Sequence, residues 1–139
     1  MSHLLDTCVV SELVARKPDP RVVAWVDARD PEDLHLSAVT IGEIAKGVAW
    51  MDPSPRKNAL EKWLNGPLQS RFAGRILPLD SALFLTWGDL TGGLLRSGTP
   101  MPVMDSLIAA TARHHRLRIV TRNADDFRHA GVEIINPWK

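Results

Sequence analysis

Carboxylate and amide side chains stand next to the ends of several predicted strands. Asp6 follows a short apolar segment at residues 3–5, and Glu43 lies in the helix after the second predicted strand. Asp105 lies in the first turn of a later helix, and Asn123 comes shortly after the fourth predicted strand. In parallel α/β sheets, ligands bind beyond the carboxyl ends of the strands, so we expect these four residues to meet at one edge of a sheet.

Three carboxylates at one edge repel one another unless a positive charge compensates them. No arginine or lysine lies within two residues of Asp6, Glu43 or Asp105. A divalent cation is the other source of compensation, and oxygen ligands without clustered histidine or cysteine select Mg²⁺, with Mn²⁺ as the alternative, over Zn²⁺. Such a site activates water and stabilises a phosphoryl group, which indicates phosphodiester cleavage. For Asp105 alone, the alternative is a carboxylate that only stabilises the helix start.

Short apolar strands alternate with amphipathic helices along the chain. The pattern predicts strands at residues 3–5, 33–37, 75–79, 117–121 and 132–135. It predicts helices at residues 8–15, 20–30, 41–50, 57–68, 80–96 and 102–113, and a helical turn at residues 123–127. This alternation predicts an α/β protein with a central short parallel sheet of about five strands and helices on both faces.

Two local patterns define helix starts and helix faces. Thr40, followed by Glu43 three residues later, predicts a capping box at the start of the 41–50 helix. In the helix that contains Asp105, the side chains of Met104, Leu107 and Ile108 share one stripe, which we expect to face the core.

Length and composition are typical of one globular domain, spanning residues 1–139. With 45% hydrophobic residues the chain can bury a core without metal or disulfide. The formal net charge of +1 means that any phosphate-binding surface must be a local patch. Cys8 is the single cysteine, and neither a secretion signal nor a long apolar run is visible. We therefore expect a cytoplasmic protein without membrane contact.

Four segments resemble, in the same order, the motifs of PIN-domain ribonucleases. They are residues 4–12 (LLDTCVVSE), 36–47 (LSAVTIGEIAKG), 104–112 (MDSLIAATA) and 119–127 (IVTRNADDF). The chain is most similar to the VapC toxins of type II toxin–antitoxin pairs, in particular the FitB-like subgroup. Residues 72–78 and the ending at residues 136–138 also resemble that subgroup. The resemblance covers essentially the whole chain.

The resemblance implies a Mg²⁺-dependent endoribonuclease toxin with a Rossmann-like PIN domain, which inhibits translation by cleaving RNA. It implies Asp6, Glu43, Asp105 and Asn123 as catalytic positions, with Asp6 and Asp105 as direct metal ligands and Glu43 as the residue that orients water. In-line attack by a metal-activated water is expected to leave a 5′-phosphate and a 3′-hydroxyl.

The chain departs from the family pattern at two positions, Cys8 and Asn123. Thr7 and Ser11 are expected to hydrogen-bond the carboxylate or the phosphate. Cys8 stands where the first motif usually has asparagine, and a thiol is a weaker hydrogen-bonding group. Asn123 stands where the fourth motif often has an acid, and Asp126 is expected to supply the missing carboxylate. We therefore expect one tightly bound Mg²⁺ rather than two.

The resemblance also implies partners. They are an RNA substrate, a cognate VapB-type antitoxin that holds the toxin inactive, and a second copy of this chain in a homodimer. DNA is expected to be contacted only through the antitoxin. Trp25, Trp50 and Trp63, together with Met51 and Leu64, predict an apolar surface on which the antitoxin binds.

Three other kinds of domain use similar residues. A phospho-accepting receiver domain places acids around Mg²⁺, but it needs an acidic pair after the first strand, and Asp6 has no acidic neighbour. A haloacid-dehalogenase-like phosphatase needs a second aspartate where Cys8 stands. A degenerate PIN domain that only binds partners stays open, because Cys8 and Asn123 both depart from the nuclease pattern.

Overall fold

The computed structural model describes residues 2–139. Its strands are β1 (His3–Leu5), β2 (Leu34–Ser37), β3 (Ile76–Leu77), β4 (Arg118–Val120) and β5 (Ile134–Ile135). They form one five-stranded parallel sheet in the order β3-β2-β1-β4-β5. The predicted parallel sheet is confirmed. Several strands are shorter than predicted; β3, for example, ends before Pro78, which has no N–H for the ladder.

The helices surround this sheet. They are α1 (Thr7–Leu13), α2 (Pro20–Asp27), α3 (Ala38–Trp50), α4 (Pro55–Asn65), α5 (Pro67–Arg71), α6 (Ser81–Arg96) and α7 (Val103–His115). Short 3₁₀ turns cover Pro31–Asp33 and Ala124–Phe127. Within residues 2–139, none of the helices combines the length and the hydrophobicity needed to cross a bilayer.

The two central strands contribute to a core on each face of the sheet. Side chains alternate across a strand, so neighbouring residues point to opposite faces. Leu4 and Ile119 belong to the core that contains residues of α6 and α7. Leu5 and Val120 belong to the core that contains residues of α1, α2 and α4. The predicted placement of helices on both faces is therefore confirmed, and it explains why Leu4 and Leu5, which point to opposite faces, are both apolar.

The order of the strands reverses between β1 and β4. From β1 the chain first adds β2 and β3 on one side, and it later adds β4 and β5 on the other side. At the carboxyl ends of the two central strands, Leu5 is paired with Val120. Chain connections diverge at such a switch point, and the crevice there is the usual ligand site of this architecture.

The start of α3 differs from the predicted capping box. Ser37, at the end of β2, is the N-cap, and its Oγ accepts a hydrogen bond from the Val39 N–H at 3.1 Å. Thr40 lies inside the first turn of the helix, and Glu43 accepts a hydrogen bond from Thr7 instead of capping the backbone. The capping-box prediction is wrong because a serine three residues earlier already supplies the cap.

The helix predicted at residues 57–68 consists of two helices. α4 ends at Asn65 because Gly66 adopts non-helical backbone angles (φ −124°, ψ −87°). Pro67 then starts α5, since its ring tolerates only the first turn of a helix.

The expected core stripe of α7 is partly wrong as well. Leu107 and Ile108 are buried, but Met104 is 51% exposed and lines a surface pocket at the start of the helix.

We expect Ser37→Ala to lower the free energy of unfolding by about 1–2 kcal/mol, because the buried serine caps α3 and its loss leaves the Val39 N–H without a partner. Urea denaturation measures the change. Ser97→Ala is the matched control: this serine follows α6, is exposed, and forms no described side-chain hydrogen bond, so its change should stay within about 0.5 kcal/mol. Equal losses for both variants would contradict the assignment of the cap.

Candidate active site

Asp6 lies at the carboxyl end of β1, and both of its carboxylate oxygens accept hydrogen bonds. Oδ1 accepts from the backbone N–H of Thr7 at 2.8 Å, which makes Asp6 the N-cap of α1. Oδ2 accepts from the hydroxyl of Thr121 at 2.7 Å. The Asp6 side chain is only 6% exposed. These bonds hold the carboxylate in one orientation and leave acceptor capacity for a further ligand.

Glu43 lies in the second turn of α3 and faces the start of α1. Its Oε1 accepts a hydrogen bond from the Thr7 hydroxyl at 2.7 Å. The oxygen of Thr7 lies 3.0 Å from the hydroxyl oxygen of Thr40. Thr7 therefore contacts Asp6 through its backbone and Glu43 through its side chain, and it joins two acids that are far apart in the sequence.

Asp105 lies in the first turn of α7, and its carboxylate forms no hydrogen bond or ion pair within residues 2–139. Burial raises the pKa of Asp105, and the negative charges of Asp6, Asp126 and Glu43 raise it further. The four acids therefore lie close enough to interact. No side chain caps α7, so Asp105 does not serve as a capping residue.

Asn123 and Asp126 lie in the turn after β4, and both are exposed. The Asn123 N–H donates a hydrogen bond to the Thr121 hydroxyl oxygen at 3.0 Å, and the Asp126 N–H donates to the Asn123 carbonyl at 3.0 Å. The side-chain amide of Asn123 forms no hydrogen bond within the described residues. The turn thus places the uncharged amide of Asn123 and a fourth carboxylate, that of Asp126, at the edge of the sheet where Asp6 follows β1.

Thr121 is a site residue that the sequence analysis missed. It is fully buried, and its hydroxyl both donates to Asp6 and accepts from the Asn123 N–H. Its position directly after β4, equivalent to that of Asp6 after β1, is the signal that could have identified it. Ser11, by contrast, is exposed on α1 and lines a groove with Thr7. The hydrogen bonds to the Asp6 carboxylate come from Thr7 and Thr121 instead.

Cys8 lies beside the Asp6 carboxylate. Its Sγ is 3.6 Å from Asp6 Oδ2 and 3.6 Å from Thr121 Oγ1, and it accepts a hydrogen bond from the Arg122 N–H at 3.5 Å. Burial raises the pKa of the Cys8 thiol, and the charge of Asp6 raises it further. The thiol therefore stays protonated at neutral pH, where it is a poor nucleophile and a weak hydrogen-bond donor.

Within the part of the chain that the structure describes, the acidic cluster has no cationic partner. The ion pairs found within residues 2–139 join Arg21 to Asp19 and Arg118 to Glu133, away from the cluster. In the same residues, no group of three or more side chains among the histidines, cysteines, aspartates and glutamates is placed so that it could hold a metal ion. Mg²⁺ keeps several waters and needs only one or two carboxylates. An open pair of aspartate ligands therefore fits it better than a full protein cage.

Comparison with known proteins agrees with this architecture. The PIN domain family model matches residues 3–133. The chain is 40% identical to "VapC ribonuclease Y4jK" of Sinorhizobium fredii over 98% of this chain and 97% of that protein. It is 39% identical to "Toxin FitB" of Neisseria gonorrhoeae over 97% of both chains.

A solved structure, described as FitAB bound to an IR36 DNA fragment, has a chain that superposes on this one with a TM-score of 0.91. The two chains are 38% identical, and the match covers 98% of this chain and 95% of that one. The chain therefore belongs to the PIN-domain family and, within it, to the group of the VapC and FitB toxins. The resemblance of the four sequence motifs to that family is confirmed.

We expect Asp105→Asn to raise the melting temperature of the metal-free chain at pH 7 by about 1–3 °C, a modest gain because solvent screens the cluster. The raised pKa means that the ionised form costs stability above that pKa and that this cost disappears as the pH falls through it. Melting curves in EDTA at pH 7 and pH 4 test both statements, and the gain should shrink at pH 4.

Asp125→Asn is the matched control for this experiment. Asp125 lies in the same turn as Asp126 and is exposed, but its charge does not contribute to the raised pKa of Asp105. A gain in the Asp105→Asn variant that is the same at both pH values, or that Asp125→Asn reproduces, would contradict the electrostatic explanation.

Proposed function

We propose that the chain is a metal-dependent endoribonuclease, the toxin of a VapBC-type pair, which inhibits translation in the cytoplasm by cleaving RNA. The observation that carries this proposal is the cluster of acids at the switch point of the sheet. Asp6 is held on both carboxylate oxygens, while the Asp105 carboxylate has no hydrogen-bond or ion-pair partner among residues 2–139. The names of two relatives, a VapC ribonuclease and a toxin, support the same activity.

Asp6 and Asp105 are the residues that would hold a divalent cation. Both offer only oxygen ligands. Burial raises the pKa of Asp105, the neighbouring negative charges raise it further, and a cation would neutralise those charges. Mg²⁺ fits this donor set, and Mn²⁺ is the alternative. When bound, such an ion stabilises charge on a phosphoryl oxygen and acidifies water. Because Asn123 is uncharged, the proposal includes one cation rather than two.

The other residues of the site position the reactants. Glu43 is held by Thr7 through Oε1, which leaves Oε2 free to accept a hydrogen bond from an attacking water. Asn123 and Asp126 lie at the open side of the cluster, and Ser11 lies on the exposed face of α1. We assign Asp6, Glu43, Asp105 and Asn123 catalytic roles in a cleavage that leaves a 5′-phosphate and a 3′-hydroxyl. Thr7, Ser11 and Asp126 support them.

We expect the purified chain to cut bacterial RNA at discrete positions with Mg²⁺ and to stop cutting in EDTA. Asp6→Asn and Asp105→Asn should each lower kcat/KM by about a hundredfold or more, because each removes a charge that binds the cation. Gel analysis of total RNA followed by kinetics on one cleaved site measures this. Asp125→Asn should leave cleavage unchanged.

The runner-up function predicts a different result. A degenerate PIN domain with Cys8 and Asn123 at two motif positions would neither cleave RNA nor bind Mg²⁺. A calorimetric titration with Mg²⁺ separates the two cases. Cleavage that persists in EDTA and in the Asp6→Asn variant would instead reveal a contaminating nuclease and would leave the proposed site without support.

We propose that the antitoxin binds in a groove between α1, α3 and α4. The groove has a volume of about 240 Å³, and its apolar lining includes Val14, Met51, Leu60 and Trp63, with Glu43 at its border. It therefore continues directly into the acidic cluster, so a bound segment would cover both. Trp50 at the end of α3 is 88% exposed, which adds apolar surface near Met51.

The other residues expected on this surface lie elsewhere. Trp25 packs edge-on against His3 and beneath the Arg29 guanidinium, and Leu64 is buried in the core.

The proposal also includes a homodimer of this chain, with DNA bound only through the antitoxin. The solved FitAB structure bound to DNA supports this arrangement. Large apolar side chains exposed on α6 and α7 are candidates for the contact between copies: Phe84, Leu85, Leu95, Val103 and Met104.

We expect Leu60→Arg to weaken binding of the cognate antitoxin by at least about tenfold, because a charged side chain would occupy the apolar groove. Ala82→Arg, at an exposed position on α6 outside the candidate contact between copies, should leave the affinity unchanged. Hydrogen exchange of the complex should show protection in α1, α3 and α4. Protection confined to α6 and α7 would contradict this placement of the antitoxin.

A further inference from the structure

Thr40 is a fully buried threonine in the first turn of α3, where no helical carbonyl lies four residues earlier to accept its hydroxyl hydrogen. Thr91 and Thr111 donate to the carbonyl oxygens four residues earlier, at 2.8 Å each, which is the common local bond of this side chain. Thr40 makes no such bond within residues 2–139. Its hydroxyl oxygen lies instead 3.0 Å from that of Thr7, on another helix.

Counting hydrogens gives this contact a direction. A threonine hydroxyl has one hydrogen to donate. Thr7 donates its hydrogen to Oε1 of Glu43 at 2.7 Å, and the carboxylate oxygen accepts it. Thr40 must therefore be the donor in the bond between the two threonines. This bond also satisfies the buried hydroxyl of Thr40, which has no other partner in the described residues.

The result is a chain of donors that runs from Thr40 to Thr7 and then to Glu43. Thr40 and Glu43 are three residues apart on one side of α3, and Thr7 bridges them from α1. Because the Thr40 hydrogen occupies an acceptor site of Thr7, the Thr7 hydrogen points towards Glu43 rather than to another acceptor. Successive hydrogen bonds of this kind also polarise and strengthen one another.

We propose that Thr40 is a positioning residue of the candidate active site, which orients the Glu43 carboxylate through Thr7. The inference rests on the proposed nuclease function, in which Glu43 orients the attacking water. The Thr40 side chain is itself fully buried, so a substrate cannot contact it directly. Its contribution is the preorganisation of Glu43 before the substrate binds.

The first test separates kcat from KM. In Thr40→Val the hydroxyl is replaced by a methyl group of similar size, and we expect kcat on an RNA oligonucleotide to fall about tenfold while KM changes less than about twofold. Thr40→Ser keeps the donor and should restore kcat to within about threefold of the unmodified chain. Thr111→Val is the matched control, since Thr111 is equally buried but bonds only to Leu107 O and Ser37 Oγ. It should keep full kcat.

The second test does not need nuclease activity. Melting temperatures are measured for Thr40→Val, Glu43→Gln and the double variant, and again with Thr7→Val added to each. We expect the shifts of Thr40→Val and Glu43→Gln to be non-additive when Thr7 is present and additive when Thr7 is replaced, because the coupling passes through its hydroxyl. This pattern would support the chain of donors even in a protein without measurable cleavage.

Each outcome separates the inference from the proposed function. An unchanged kcat in Thr40→Val, in a protein that Glu43→Gln inactivates, would overturn the role of Thr40 and leave the nuclease intact. Additive melting shifts with Thr7 present would overturn it as well. Absence of cleavage by the unmodified chain together with non-additive shifts would contradict the nuclease function but support the hydrogen-bonded chain.

Discussion

The parallel pairing of β1 with β4 is the constraint on which the candidate active site depends. Their register places the residue after Leu5 beside the residue after Val120, so that the Thr121 hydroxyl reaches the Asp6 carboxylate. Both strands are buried on both faces, and a shift in register would expose apolar side chains of each. The hydrophobic core fixes the register of β1 and β4, and this register determines the orientation of the Asp6 carboxylate at the ends of these strands.

Uncompensated negative charge is the second property that organises the site. Three acids, Asp6, Glu43 and Asp126, act on the Asp105 carboxylate, and no basic side chain of the described residues pairs with the four. A cluster of this kind costs stability in the chain without a ligand, because burial and repulsion both oppose ionisation. Proteins keep such clusters where the same charge serves binding or catalysis, and here it lies at the switch point of the sheet.

The two departures from the motif pattern have different structural consequences. The Cys8 side chain lies beside Asp6, at the position where the motif usually has asparagine. Its protonated thiol forms only a weak hydrogen bond with the Asp6 carboxylate. Asn123 removes a charge from the turn after β4, although its backbone still anchors that turn to Thr121. The neighbouring Asp126 restores a negative charge to the cluster. The positions of the side chains around Asp6 are therefore retained, while the negative charge that the turn after β4 contributes comes from Asp126 instead of residue 123.

The order of strands and helices, the parallel sheet and the positions of Asp6, Glu43 and Asp105 could be derived from the sequence, because hydrophobic periodicity and the residues at strand ends are local properties. Asp6 and Thr121 are 115 residues apart in the sequence, and their hydrogen bond depends on the pairing of β1 with β4, which the sequence analysis did not predict. The cap of α3 at Ser37 is a local bond between residues two positions apart, whereas the contacts of Thr40 with α1 were equally hidden. Only the tertiary structure decided them, because a hydroxyl bonds to whichever acceptor the packing of strands and helices brings within about 3 Å.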